Sequence, residues 1–244
     1  MGNNTFIGAL LVSAIVLAAA LVYAVVSVDA DVSAAEGNGF GAEGSNKDTM
    51  SGGASLAVNM TSNLVFVTDD HGSGAYMDMT IYRPVVESGW YFVGDLAEPS
   101  YRAPTHQAML VKAVSDDPAN PALAAPIDWK PVYFDRGSAA YKDTSFWAPV
   151  PPDGYFALGC VAVQGYSKPN LPNFMCVRKD LCTAGLESSI LWNDRGTSSH
   201  TDVTLWGIKP ANDNGVDAST FWARPDYNSN PTDHVVCLDK TNIA

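Results

Sequence analysis

Basic residues are scarce in this chain: 14 Lys and Arg stand against 26 Asp and Glu, for a formal charge of −12. Without a basic stripe to displace counterions, nucleic acid is excluded as a partner. No Lys or Arg precedes Lys47, so the rule that reads membrane sidedness from cations has nothing to count at the N-terminus. Catalytic signatures are missing too. There is no Gly-x-Ser-x-Gly, no phosphate-binding loop and no His-Glu-x-x-His, and His71, His106, His200 and His234 have no metal-ligand spacing between them. The expectation is a protein that is not an enzyme. No Cys-x-x-Cys occurs, which argues against a zinc ribbon. Beyond the N-terminus, no stretch sustains a 3.6-residue apolar period over three turns, which sets aside a helical domain.

What is present begins with Phe6–Val28, 23 positions without a charge. That run is long enough to span a bilayer as a helix. A cleaved signal peptide is the alternative, with Val32-Ser33-Ala34 as a small-residue cleavage site. Either reading takes the rest of the chain out of the cytoplasm, membrane-anchored or secreted. Residues 29–55 are rich in Gly, Ala, Ser and acids and read as a flexible tether between residues 1–28 and a folded domain over 56–244.

Within that domain one phrase is written three times. Asp70-His71-Gly72-Ser73, Asp135-Arg136-Gly137-Ser138 and Asp194-Arg195-Gly196-Thr197 each follow an apolar and aromatic run. Six residues after each Gly stands a second acid, Asp78, Asp143 or Asp202, opening an alternating run: "DMTIY", "DTSFW", "DVTLW". Short apolar, aromatic and β-branched runs between Gly, Pro, Asp and Asn clusters are the pattern of strands and turns. The reading is an all-β, pseudo-threefold β-prism of three ~60-residue repeats, about 62–128, 129–187 and 188–244, each too small to close a core alone. Tyr82, Trp147 and Trp206 fall at equivalent positions, as do Phe66 or its neighbours, Tyr133 and Trp192, and are expected to form a shared core.

The phrases "WNDRGT", "DRGSAAYKDTSFWAPVPPDGYFALGCVAVQGYSKP" and "FMCVRKDL" resemble the Vps-sixty-two family of vacuolar protein sorting-associated domains, over roughly residues 62–240. The resemblance implies a sorting-associated protein and, through a broader likeness to β-prism domains, recognition of a glycan or membrane surface. The third repeat departs from the pattern: "GIKPANDNGVDASTFWARP" stands where the others have a Gly-aromatic strand. Any property of that strand is therefore expected at most twice.

Two readings of the turns compete. As scaffold, Gly supplies a positive φ while Asp and Ser bond back to nearby amides. As a site, the six carboxylates of Asp70, Asp78, Asp135, Asp143, Asp194 and Asp202, with Ser73, Ser138 and Thr197, cluster oxygens that suit Ca²⁺ or sugar hydroxyls. Tyr76, Tyr141 and His200 share one slot beside them and would stack on a sugar face. The cysteines Cys160, Cys176, Cys182 and Cys237 form an even set in an exported chain and are disulfide candidates. A hairpin places Cys160 opposite Cys176, leaving Cys182 for Cys237. The functional expectation is a membrane-anchored recognition domain at the cell surface, binding a glycan or other surface component through the acidic turns. The alternative is a structural or assembly protein, such as a spike component or sorting adaptor, with purely protein contacts.

Overall fold

The computed structural model describes residues 53–228 and 235–244. The apolar run at 6–28, the tether up to residue 52 and His234 lie outside the described residues. Among the described residues no helix is long and apolar enough to cross a membrane.

Among the described residues the fold is built from short antiparallel strands, with single 3-10 turns at Lys179–Leu181 and Lys240–Asn242. The first repeat contributes β1 (Ser55–Thr61), β2 (Leu64–Asp69), β3 (Thr80–Pro84), β4 (Tyr91–Phe92), β5 (Leu96–Glu98) and β6 (Ala108–Ser115). The second gives β7 (Leu123–Ala124), β8 (Asp128–Phe134), β9 (Thr144–Val150), β10 (Tyr155–Phe156), β11 (Val161–Gln164) and β12 (Cys176–Arg178). The third gives β13 (Cys182–Asn193), β14 (Thr204–Pro210), β15 (Gly215–Val216), β16 (Phe221–Arg224) and β17 (Val236–Asp239).

Each repeat divides its strands between two sheets. The central sheets run β2-β3-β5 and β8-β9-β11, and the peripheral ones β1-β6-β4 and β7-β12-β10. In the third repeat, twelve-residue β13 runs through both, fusing them as β15-β17-β13-β14-β16. This corrects the expected β-prism. Among the described residues the sheets are five, small and antiparallel, and none curls or closes on itself. Proline supplies the physical reason: Pro84, Pro149 and Pro210 stand at or next to the ends of β3, β9 and β14. Lacking an N–H, proline ends the ladder, and the chain crosses to the second sheet. The third repeat also keeps the strand expected to be missing, as the two-residue β15 paired with β17.

The central core takes one residue from each repeat at matched register. Ile81, Phe146 and Leu205, each fully buried, lie opposite Ala97, Ala162 and Ala223. Burial of such a side chain contributes about 1.5–3 kcal/mol, so this layer is a principal source of stability. A second cluster joins the peripheral sheets through Leu56, Val93, Leu158, Val177 and Leu238. Tyr133 and Trp192 enter the core as expected, but Phe66 does not. A bulge after Phe66 places Thr68 in the equivalent slot opposite Ile81, and Phe66 stays 46% exposed. The same bulge precedes Tyr133 and Trp192.

All four cysteines are free, which corrects the disulfide expectation. Cys160 adjoins a central sheet while Cys176 lies in the peripheral strand β12, so they are not hairpin partners. Cys182 is opposite Leu238 and Cys237 opposite Thr183, which sends the two thiols to opposite faces of one sheet. Burial pushes all four thiols up to about 12. Iodoacetamide is therefore expected to leave the native protein largely unmodified and to label all four after denaturation, as read by mass spectrometry.

Candidate functional site at the three turns

The turns gather at one end of the central sheets and lock together in a ring. Within each turn, the backbone N–H of Ser73, Ser138 or Thr197 donates to the carbonyl of Asp70, Asp135 or Asp194. The Ser or Thr hydroxyl then accepts the N–H two residues on, at Ala75, Ala140 or Ser199. Between turns, Tyr76 N–H donates to Arg195 O (2.9 Å), Tyr141 N–H to His71 O (2.8 Å) and His200 N–H to Arg136 O (3.0 Å). The first turn thus binds the third, the second the first, and the third the second.

Glycine makes the close approach possible. Gly72, Gly137 and Gly196 have φ of +84°, +88° and +97°, and a Cβ on any of them would meet the ring of Tyr141, His200 or Tyr76 at 2.6–2.8 Å. These three rings, expected to serve a sugar face, each cover the glycine of a neighbouring turn. Tyr76 and Tyr141 remain 83% and 81% exposed.

The leading carboxylates are buried and engaged. Asp70 accepts from Met79 N–H (2.8 Å), Ser73 Oγ and, across the repeat boundary, Trp192 Nε1 (2.8 Å). Asp194 accepts from Val203 N–H (3.0 Å) and Tyr227 Oη (2.9 Å), and Asp135 from Tyr166 Oη (2.8 Å). Burial raises Asp135 and Asp194 above the ordinary carboxylate range, with their hydrogen bonds pulling the other way. The second acids are exposed. Asp143 and Asp202 share the same tyrosines, at 3.1 Å from Tyr166 and Tyr227. Among the described residues no three acidic, cysteine or histidine groups converge as metal ligands.

A cavity of about 10 Å³ between Asp70, Asp135, Tyr133 and Trp192 has room for a single water. Among the described residues the buried Tyr133 and Ser199 hydroxyls make no well-formed hydrogen bond, their nearest polar neighbours being each other.

Sequence reasoning missed Tyr101, Tyr166 and Tyr227. Each stands four residues after Ala97, Ala162 or Ala223, a repeat visible in the sequence once those alanines are aligned. They also explain the variable residue of the Asp-x-Gly-Ser turn. His71 stacks on Tyr101 at 3.5 Å, Arg136 lies over Tyr166 at 4.6 Å and Arg195 over Tyr227 at 3.9 Å. A tyrosine face accepts a planar imidazole or guanidinium alike, so the slot tolerates His and Arg where an ion pair would not. Tyr166→Phe and Tyr227→Phe should each cost about 1–2 kcal/mol in denaturant unfolding, because each leaves a buried carboxylate short of a donor.

A family model for vacuolar protein sorting-associated protein 62 (Vps62) matches residues 32–244. The chain belongs to the Vps62 family. Among curated proteins none matches the sequence. Among solved structures, the crystal structure of GNIP1Aa from Chromobacterium piscinae is similar, with a TM-score of 0.67 and 31% identity over 78% of this chain. The match spans only 38% of that longer chain.

Proposed function

We propose that this Vps62 domain is a non-catalytic recognition and assembly module whose contacts are made to protein surfaces, with the turn end as the contact face. One observation carries this reading: the buried turn carboxylates are spent on tyrosine, tryptophan and backbone donors, whereas Tyr76, Tyr141, Arg136 and Arg195 are left exposed beside them. Tyrosine and arginine are the residue types enriched at the energetic centres of protein interfaces. The alternating charges of Asp78, Asp143 and Asp202 with the two arginines give such a face its register. The apolar run at residues 6–28 would hold the domain at a membrane or export it, in either case outside the cytoplasm.

Carbohydrate recognition is the competing reading, favoured by the same exposed tyrosines. Sedimentation velocity and crosslinking of the intact protein separate the two. The protein-contact reading expects a self-associated or partnered species that Tyr76→Ser with Tyr141→Ser weakens about tenfold or more. A monomer with no crosslinked species, together with a positive glycan array, would move the assignment to carbohydrate.

A further inference from the structure

Each central sheet offers the edge of its third strand to a neighbouring repeat, and two of these three edges are satisfied by the chain itself. Facing β3, Ala162 N–H donates to Asp95 Oδ2 (2.9 Å), and the Arg83 guanidinium reaches Ala162 O (2.7 Å). Next in the series, Ala223 N–H donates to Cys160 Sγ at 3.4 Å. The third equivalent residue is Ala97.

Strand pairing fixes the direction of its amide. Gly165 N–H donates to Asp143 O, and hydrogen-bonded pairs alternate along an antiparallel ladder. Ala162, opposite Phe146, therefore turns its N–H and C=O away from β9. Ala97 holds the same register opposite Ile81 and turns its amide away from β3. The slot filled by Asp95 and Cys160 is here occupied by Phe221, which has no acceptor, and the position of Arg83 is here Gly207. A cleft of about 280 Å³ results. Leu96, Ala97, Leu191 and Ile208 line it, with Ser188 and Ser219 among its polar groups. Ala97 is 4% exposed, and no side chain among the described residues bonds its N–H.

We propose that this cleft binds a peptide residue with an apolar side chain, through that residue's own C=O and N–H. The ligand carbonyl takes the Ala97 N–H, its N–H is given to Ala97 O, and its side chain lies on Leu96, Leu191 and Ile208. One residue, through the two peptide groups that flank its Cα, supplies the acceptor and donor that Asp95 and Arg83 supply together at Ala162, in the manner of strand addition. The ligand is neutral. Lys209 at the cleft is paired with Asp217, and His106 with Glu98, so among the described residues lining it no free cation awaits an anion. The site does not rest on the turn-end contacts.

The test is an NMR titration of the intact protein with N-acetyl-leucine N-methylamide. The expected result is a downfield shift of the Ala97 amide proton while those of Ala162 and Ala223 hold still. Gly207→Leu, which fills the cleft, should weaken binding at least about tenfold. Leu96→Trp, which gives this strand the residue found at the equivalent Trp222, should do the same if Gly207→Leu fails to fold. No movement of Ala97 at saturating probe, or a shift undiminished in a folded filled variant, overturns the proposal.

Discussion

Gly196→Ala is expected to lower stability by about 2–5 kcal/mol. A left-handed backbone costs a non-glycine residue about 1–2 kcal/mol, and at φ +97° this residue is held there by the turn. The new Cβ would also lie 2.6 Å from both the Tyr76 ring and Gly74 O. The ring must leave or the turns must part, adding about 1–3 kcal/mol of overpacking. Gly154 is the control. Its φ is +85°, but nothing lies within 4 Å of its would-be Cβ, so Gly154→Ala should show the backbone cost alone. The difference between the two, measured by denaturant unfolding, isolates the contact between turns. Equal losses would mean that the ring of turns contributes nothing beyond its glycine geometry.

Arg83→Ala should be more damaging, at about 3–5 kcal/mol, because it strands a fully buried carboxylate. Asp95 is 0% exposed and takes both Arg83 Nε (2.8 Å) and Nη2 (2.7 Å). Burial raises the Asp95 carboxyl, and the guanidinium opposes that rise. Without Arg83 only the Ala162 N–H is left to oppose the rise. A carboxyl whose folded pKa lies above its unfolded value loses stability as pH climbs from the unfolded pKa, about 3.8, through the folded one. The loss in Arg83→Ala should therefore shrink towards acid pH. The equivalent slots hold Cys160 with Ala148 and Phe221 with Gly207, so this position has apolar solutions. Arg83→Ala combined with Asp95→Cys should recover part of the loss, as a double-mutant cycle would show.

How far the sequence discloses this molecule depends on which residues carry the signal. The strands at "DTSFW" and "DVTLW" follow from alternation, and the six-residue step from Gly to the second acid correctly marks three equivalent turns. The division of each repeat into two sheets was not legible, because Pro84, Pro149 and Pro210 read equally well as turn residues within one sheet. The disulfides failed for a reason of register: whether Cys182 and Cys237 share a face depends on a one-residue offset. Thr68 shows the limit of type-matching. It takes an aromatic slot, and its hydroxyl meets that of Thr144 at 2.6 Å, a pairing no pattern of apolar residues announces. At the turns, acids and tyrosines were visible as types but not as partners. The tyrosines that engage the carboxylates stand 31 to 33 residues downstream, at Tyr101, Tyr166 and Tyr227, while the nearby Tyr76 and Tyr141 cover glycines instead.

The central claim is that the repeated Asp-x-Gly-Ser turn is a clasp that holds three repeats together rather than a cup for a cation. The most direct measurement is thermal unfolding of the intact protein and of the Asp70→Asn, Asp135→Asn, Asp194→Asn triple variant, each with and without millimolar calcium. The account predicts a lower Tm for the variant under both conditions and no calcium shift for either protein. A calcium-dependent rise in the parent Tm that the triple variant lacks would contradict it.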